Sequence, residues 1–71
     1  MNKLKAVREK KKMTILELSK KLNVSSSAVY SWENGTRTPS YKNMSKISAL
    51  FKKRVDAIFF TDILHETNKS A

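Results

Sequence analysis

The sequence predicts an all-α fold, and three observations predict it. Its 71 residues include one Gly and one Pro, Gly35 and Pro39, which fall together near the middle. Elsewhere apolar residues recur at the three- and four-residue spacing of a buried helical stripe. Ser, Thr and Asn stand just ahead of several of those stripes, where a helix start needs side-chain acceptors. A chain of this length makes one domain with a small core, because at this size folding buries only about 60% of the unfolded surface. The reading is a single domain over residues 1–66 with a polar, flexible tail over 67–71. No cysteine is present, so neither a disulfide nor a thiolate metal site supplements packing.

Leu4 and Val7 open an amphipathic first helix over about residues 2–11, with Asn2 as its N-cap candidate and basic residues in its last turn, where they complement the helix dipole. Thr14 followed by Glu17 is a capping-box pattern, starting a second helix that runs to about Leu22 with Leu18 and Leu22 on its buried stripe. Asn23 and Val24 interrupt the pattern. Ser25 then caps a short third helix whose apolar face is Ala28, Val29 and Trp32 and whose end is Gly35. A fourth helix begins at Ser40 or Tyr41 and carries Met44, Ile47, Ser48 and Phe51 at helical spacing. After Lys52, Lys53 and Arg54, a fifth helix uses Val55, Ile58 and Phe59 and extends toward Asp62 to Leu64.

Fifteen Lys and Arg against six Asp and Glu give a formal charge of +9, and the excess begins with Lys3, Lys5, Arg8, Lys10, Lys11 and Lys12. Such a field suits a polyanion, either nucleic acid or an anionic membrane surface, and equally keeps a small protein soluble. Charge alone does not choose among these. The apolar stripes are needed to cover one another, which weighs against a membrane helix, and no apolar run reaches the roughly 20 residues that span a bilayer. The expectation is therefore a cytoplasmic protein with no membrane partner. Catalysis finds no nucleophile–base pair, no Gly-rich phosphate loop and no ligand cluster. His65 stands alone, so neither a metal nor another cofactor is expected. Tyr30 and Tyr41 are too few to build the stacking platforms on which single-stranded RNA binds.

The close pair of helices two and three, the second with a polar outer face, is a helix-turn-helix pattern. Arg8, Thr14, Glu17, Leu18, Leu22, Val24, Ser25, Val29, the run Ser31-Trp32-Glu33-Asn34-Gly35, Pro39, Ile47, Phe51, Val55, Asp56 and Ile58 carry the likeness. On these residues the chain resembles the Cro/CI-type (XRE) helix-turn-helix family over roughly residues 2–60, and it is similar to its small phage Cro-like and repression-modulating members. The resemblance implies a lambda-repressor-like five-helix domain, a transcription regulator that lays helix three in the DNA major groove. Carried over, the base-contacting positions are Ser26, Ser27 and Ser31, with Ser25 and Tyr30 beside them. For Ser25 capping is the stronger reading. Phosphate contacts fall to Thr14, Asn34, Thr36, Arg37, Thr38 and Lys42, and Arg8 and Glu33 make a structural ion pair between helix one and the end of helix three. Serine lacks the bidentate geometry that selects guanine or adenine, so direct readout should be modest.

Two departures carry expectations of their own. Ile15 stands where relatives place Gln, removing an amide that touches phosphate, and Ile15 with Leu16 suggests exposed apolar surface. Lys52 and Lys53 stand where Gly and a small apolar residue are common, which puts the shape of the turn into helix five in question. The function expected is that of a repressor or Cro-like component of a phage or mobile-element switch acting on a double-stranded DNA operator. Phe59, Phe60, Ile63 and Leu64 are the candidate homodimer surface, although Phe59 and Ile63 also suit core closure and a monomer is compatible with so short a chain. The competing reading is a protein-interaction module or antirepressor that binds a partner repressor through Ile15, Leu16, Phe60 and Leu64.

Overall fold

The computed structural model describes residues 2–60. Over that span five helices follow one another without a strand: α1 (Leu4–Lys10), α2 (Ile15–Leu22), α3 (Ser26–Asn34), α4 (Tyr41–Phe51) and α5 (Val55–Phe59). Their apolar stripes converge on one core of Leu4, Val7, Leu18, Leu22, Val29, Trp32, Ile47, Phe51 and Ile58. Met13, Ile15, Val24, Ala28 and Phe59 pack against it from the rim. The most extensive contact between elements is α2 against α3. The chain ends of the described core are tied together where the Lys3 amide donates to the Ile58 carbonyl at 2.8 Å.

Three of the helix starts follow directly from the caps read in the sequence. Thr14 accepts from the Glu17 amide at 3.0 Å while the Glu17 carboxylate accepts from the Thr14 amide at 2.8 Å, so two otherwise orphaned donors are satisfied reciprocally. Ser25 accepts from the Ala28 amide at 3.1 Å, and Ser40 from the Asn43 amide at 3.2 Å. At α1 the expectation shifts by one residue. Lys3 occupies the N-cap position and makes no side-chain cap. Asn2, one step earlier, accepts from the Leu4 amide at 3.0 Å and donates its own amide to the Trp32 carbonyl at 2.8 Å. It thus serves the helix start and fastens α1 to α3. The fifth helix is described as far as Phe59, with Phe60 following it; Asp62, Ile63 and Leu64, together with the proposed tail, lie outside the described residues.

The helix ends were less legible. Four described positions take the left-handed backbone conformation, and only one is the glycine: Gly35 has φ 85°, whereas Lys12, Asn23 and Lys52 have φ 58°, 58° and 54°. Each of these three closes a helix by the same device, a six-residue hydrogen-bonded turn. The Met13 amide donates to the Arg8 carbonyl at 3.2 Å, the Val24 amide to Ser19 at 3.0 Å and the Lys53 amide to Ser48 at 3.2 Å. Lys52 therefore keeps the turn that a glycine would make, and the substitution of Lys for Gly does not reshape it. A side chain in this conformation costs roughly 1–2 kcal/mol against the glycine penalty of about 0.5–1 kcal/mol in the unfolded chain. Lys52→Gly is accordingly expected to raise stability by about 0.5–1 kcal/mol. A urea melt with an unchanged or lower midpoint would contradict this.

Candidate nucleic-acid interface

The orientation of α3 is set from its inner side. Val29 is fully buried and Trp32 nearly so, and Glu33 lies beside them. Glu33 meets Arg8 of α1 in a two-pronged pair: Arg8 Nε donates to Oε2 at 2.6 Å and Nη2 to Oε1 at 3.1 Å. The remaining terminal nitrogen, Nη1, donates to the Met13 carbonyl at 2.7 Å, just beyond the left-handed Lys12. Hydrogen bonding to Glu33 first, and the nearby Glu33 charge, raise the Arg8 pKa above its ordinary value, against the opposing effect of burial. Arg8 therefore carries its charge throughout the working pH range, and the bidentate geometry fixes both distance and rotation of α3 relative to α1.

With that side committed, the 3.6-residue period turns Ser26, Ser27, Tyr30, Ser31 and Asn34 outward on one stripe. Ser26, Ser27, Tyr30 and Asn34 are exposed and Ser31 is half-buried. Ser25 is also exposed, but its hydroxyl is engaged as the cap of α3, so among the candidate base readers it alone is already held by the backbone. Asn34 uses its side-chain oxygen inward, accepting from the Thr36 amide at 3.0 Å and the Thr36 hydroxyl at 2.6 Å, which leaves its NH2 group outward-facing chemistry. The Arg37 amide donates to the Ser31 carbonyl at 3.3 Å, binding the following loop back onto α3. Thr36, Arg37 and Thr38 are exposed along that loop, Pro39 is buried, and Lys42 is exposed in the first turn of α4. Thr14 is exposed at the start of α2, with its hydroxyl in the capping box.

The tertiary structure brings two further residues to this surface. Lys5 and Ile15 line an open hollow of about 340 Å³ with Arg8, Tyr30, Glu33 and Asn34. Ile15 is half-buried and packs on the core rim, so the expected Ile15–Leu16 exposed pair reduces to Leu16, which is 55% exposed. The reason is rotational: adjacent helical residues lie about 100° apart, and in α2 the inner sector belongs to Ile15, Leu18, Ser19 and Leu22. Lys5 was hidden in a run of basic residues, and only its position one turn before Arg8 on the same helix links it to α3. Lys46 of α4 donates to the Leu22 carbonyl at 3.0 Å and so serves the end of α2.

The start of α2 also has a pH signature. The backbone hydrogen bond from Thr14, then that from its side chain, holds the Glu17 carboxyl below its ordinary value of 4.5. A depressed folded-state pKa adds stability that is complete above the unfolded value and is lost as pH falls through the folded one. Glu17→Gln is expected to flatten the decline of melting temperature on the acid side of pH 4.5. An acid limb identical to that of the parent protein would remove Glu17 from the explanation.

Among the described residues no group of three or more His, Cys, Asp or Glu comes together, and no helix is long and apolar enough to cross a membrane. A search of curated proteins gave no match. A family model described as helix-turn-helix matches residues 4–58, which spans every described helix but the last residue of α5. With the capped α2–α3 pair, the outward stripe of α3 and that match over most of its length, the chain belongs to the Cro/CI-type (XRE) helix-turn-helix family, a family of DNA-binding transcription regulators.

Proposed function

We propose that this protein binds a short double-stranded DNA operator in a sequence-specific manner, with α3 in the major groove, as a repressor or Cro-like component of a phage or mobile-element switch. The observation that carries the reading is the division of α3 into a pinned inner side, Val29, Trp32 and Glu33, and a free outer stripe of small polar residues around Tyr30. Small side chains let a helix seat deeply in a groove. The exposed Arg37 and Lys42 flank the stripe where phosphates would run, with Thr14, Asn34, Thr36 and Thr38 as neutral partners.

Selection from randomised duplexes at about 0.15 M salt tests this reading. A short enriched motif is expected, with Ser27→Ala and Ser31→Ala relaxing the preference at single positions. Arg37→Ala and Lys42→Ala should instead weaken all sequences alike and each lower the salt slope by about one. Binding with a steep salt dependence and no enriched motif would leave electrostatics alone and defeat the operator reading.

A homodimer on half-sites one helical turn apart is part of the proposal, with Phe59 and Phe60, both half-buried, as its described share. Sedimentation of the DNA complex at a one-to-one mass at every concentration would reject it. The exposure of Leu16 favours a second role, docking of a partner repressor protein. Leu16→Ser that left such binding unchanged would count against that role.

A further inference from the structure

An exposed aromatic is unremarkable by itself, since soluble proteins expose many apolar atoms. Tyr30 differs in its setting. It is 61% exposed and is the single large side chain on the α3 stripe, where its neighbours are Ser26, Ser27, Ser31 and Asn34. It also lines the open hollow together with Ile15, the other apolar residue there, and with the closed Arg8–Glu33 pair. Because Arg8 and Glu33 satisfy each other, that pair offers no free charge of either sign. Lys5 at the lining supplies a cation, and the protein as a whole carries +9. A nucleotide fits that combination: an apolar contact on the base side and a cation for the phosphate.

We infer that Tyr30, backed by Ile15, is a specificity-determining residue that reads the 5-methyl group of a thymine in the major groove. The inference rests on the operator reading above and names what that reading leaves open, the source of discrimination on a serine-rich face. Of the four bases only thymine presents a methyl group there, and apolar side chains recognise it without hydrogen-bond geometry. The serines, which donate and accept alike, then give the modest readout at their own positions, while the ring carries the choice of base at its own. Lys5, lining the same hollow, is the cation available to that nucleotide's phosphate.

The test replaces thymines of the selected motif by deoxyuridine one position at a time, which deletes the methyl and leaves every hydrogen-bonding edge intact. At one position per half-site the parent protein is expected to bind about fourfold more weakly, the effect of one buried methyl-sized group. Tyr30→Phe should retain the thymine preference. Tyr30→Ser should bind thymine and uracil duplexes equally while melting like the parent, because the side chain is exposed. Equal binding of thymine and uracil duplexes by the parent protein, with the enriched motif intact, would overturn the thymine reading alone. Failure to enrich any motif would overturn the operator reading and this inference with it.

Discussion

Glu33→Ala is expected to destabilise the protein by roughly 3–5 kcal/mol, a large share of what a domain of this size possesses at about 0.05–0.15 kcal/mol per residue. The argument is one of desolvation. Arg8 and Glu33 are 7% and 8% exposed, so neither partner can recover its water shell when the other is removed. Removing Glu33 leaves a guanidinium whose Nε and Nη2 have lost their acceptors. Removing Arg8 leaves a buried carboxylate and takes the donor from the Met13 carbonyl. Arg8→Met combined with Glu33→Leu should recover much of the loss, since a well-packed apolar pair of similar volume removes both desolvation costs. Urea denaturation of the two single variants and the double variant measures the cycle. Single variants within about 1 kcal/mol of the parent would show a pair that behaves like an exposed one. The Arg54–Asp56 pair supplies that contrast: its distance is 3.1 Å, but the Arg54 side chain is 85% exposed, and its removal should be nearly silent.

Trp32→Ala should cost about 3–5 kcal/mol as well, by cavity formation, whereas Tyr30→Ser, two residues away, should change stability by no more than about 0.5 kcal/mol. Trp32 is 4% exposed and sits in the core with Val29 and Leu18, and its carbonyl is held by Asn2 from the far end of the fold. Tyr30 is 61% exposed. Thermal melts separate the two faces of α3, and binding to the selected operator should order them differently. Tyr30→Ser remains folded with altered selectivity, and Trp32→Ala loses binding in proportion to the loss of folded protein. A Trp32→Ala variant that melted like the parent would mean that the indole does not anchor α3.

How much of this was legible beforehand depends on range. Thr14 with Glu17, Ser25 with Ala28 and Ser40 with Asn43 are hydrogen bonds over three residues. The helix starts were therefore written locally, as was the outer stripe of α3, which follows from helical period once Val29 and Trp32 are assigned inward. Helix ends were harder, because propensity argues against Lys12 and Lys52 in a left-handed conformation. There the six-residue turn and the packing of the next helix override local preference.

The all-helical class, the caps that begin α2, α3 and α4, the basic balance and the polar outer face of α3 are written in the chain locally. Each depends on neighbours within about one turn or on composition. Packing, by contrast, is what makes Asn2 bridge to Trp32, turns Ile15 onto the core rim while Leu16 stays out, and joins Lys5 and Ile15 to Tyr30 around one hollow. These contacts join residues far apart in the chain. They exist because a core this small forces α1, α2 and α3 to share the same few buried side chains, which sets rotations that no local pattern encodes.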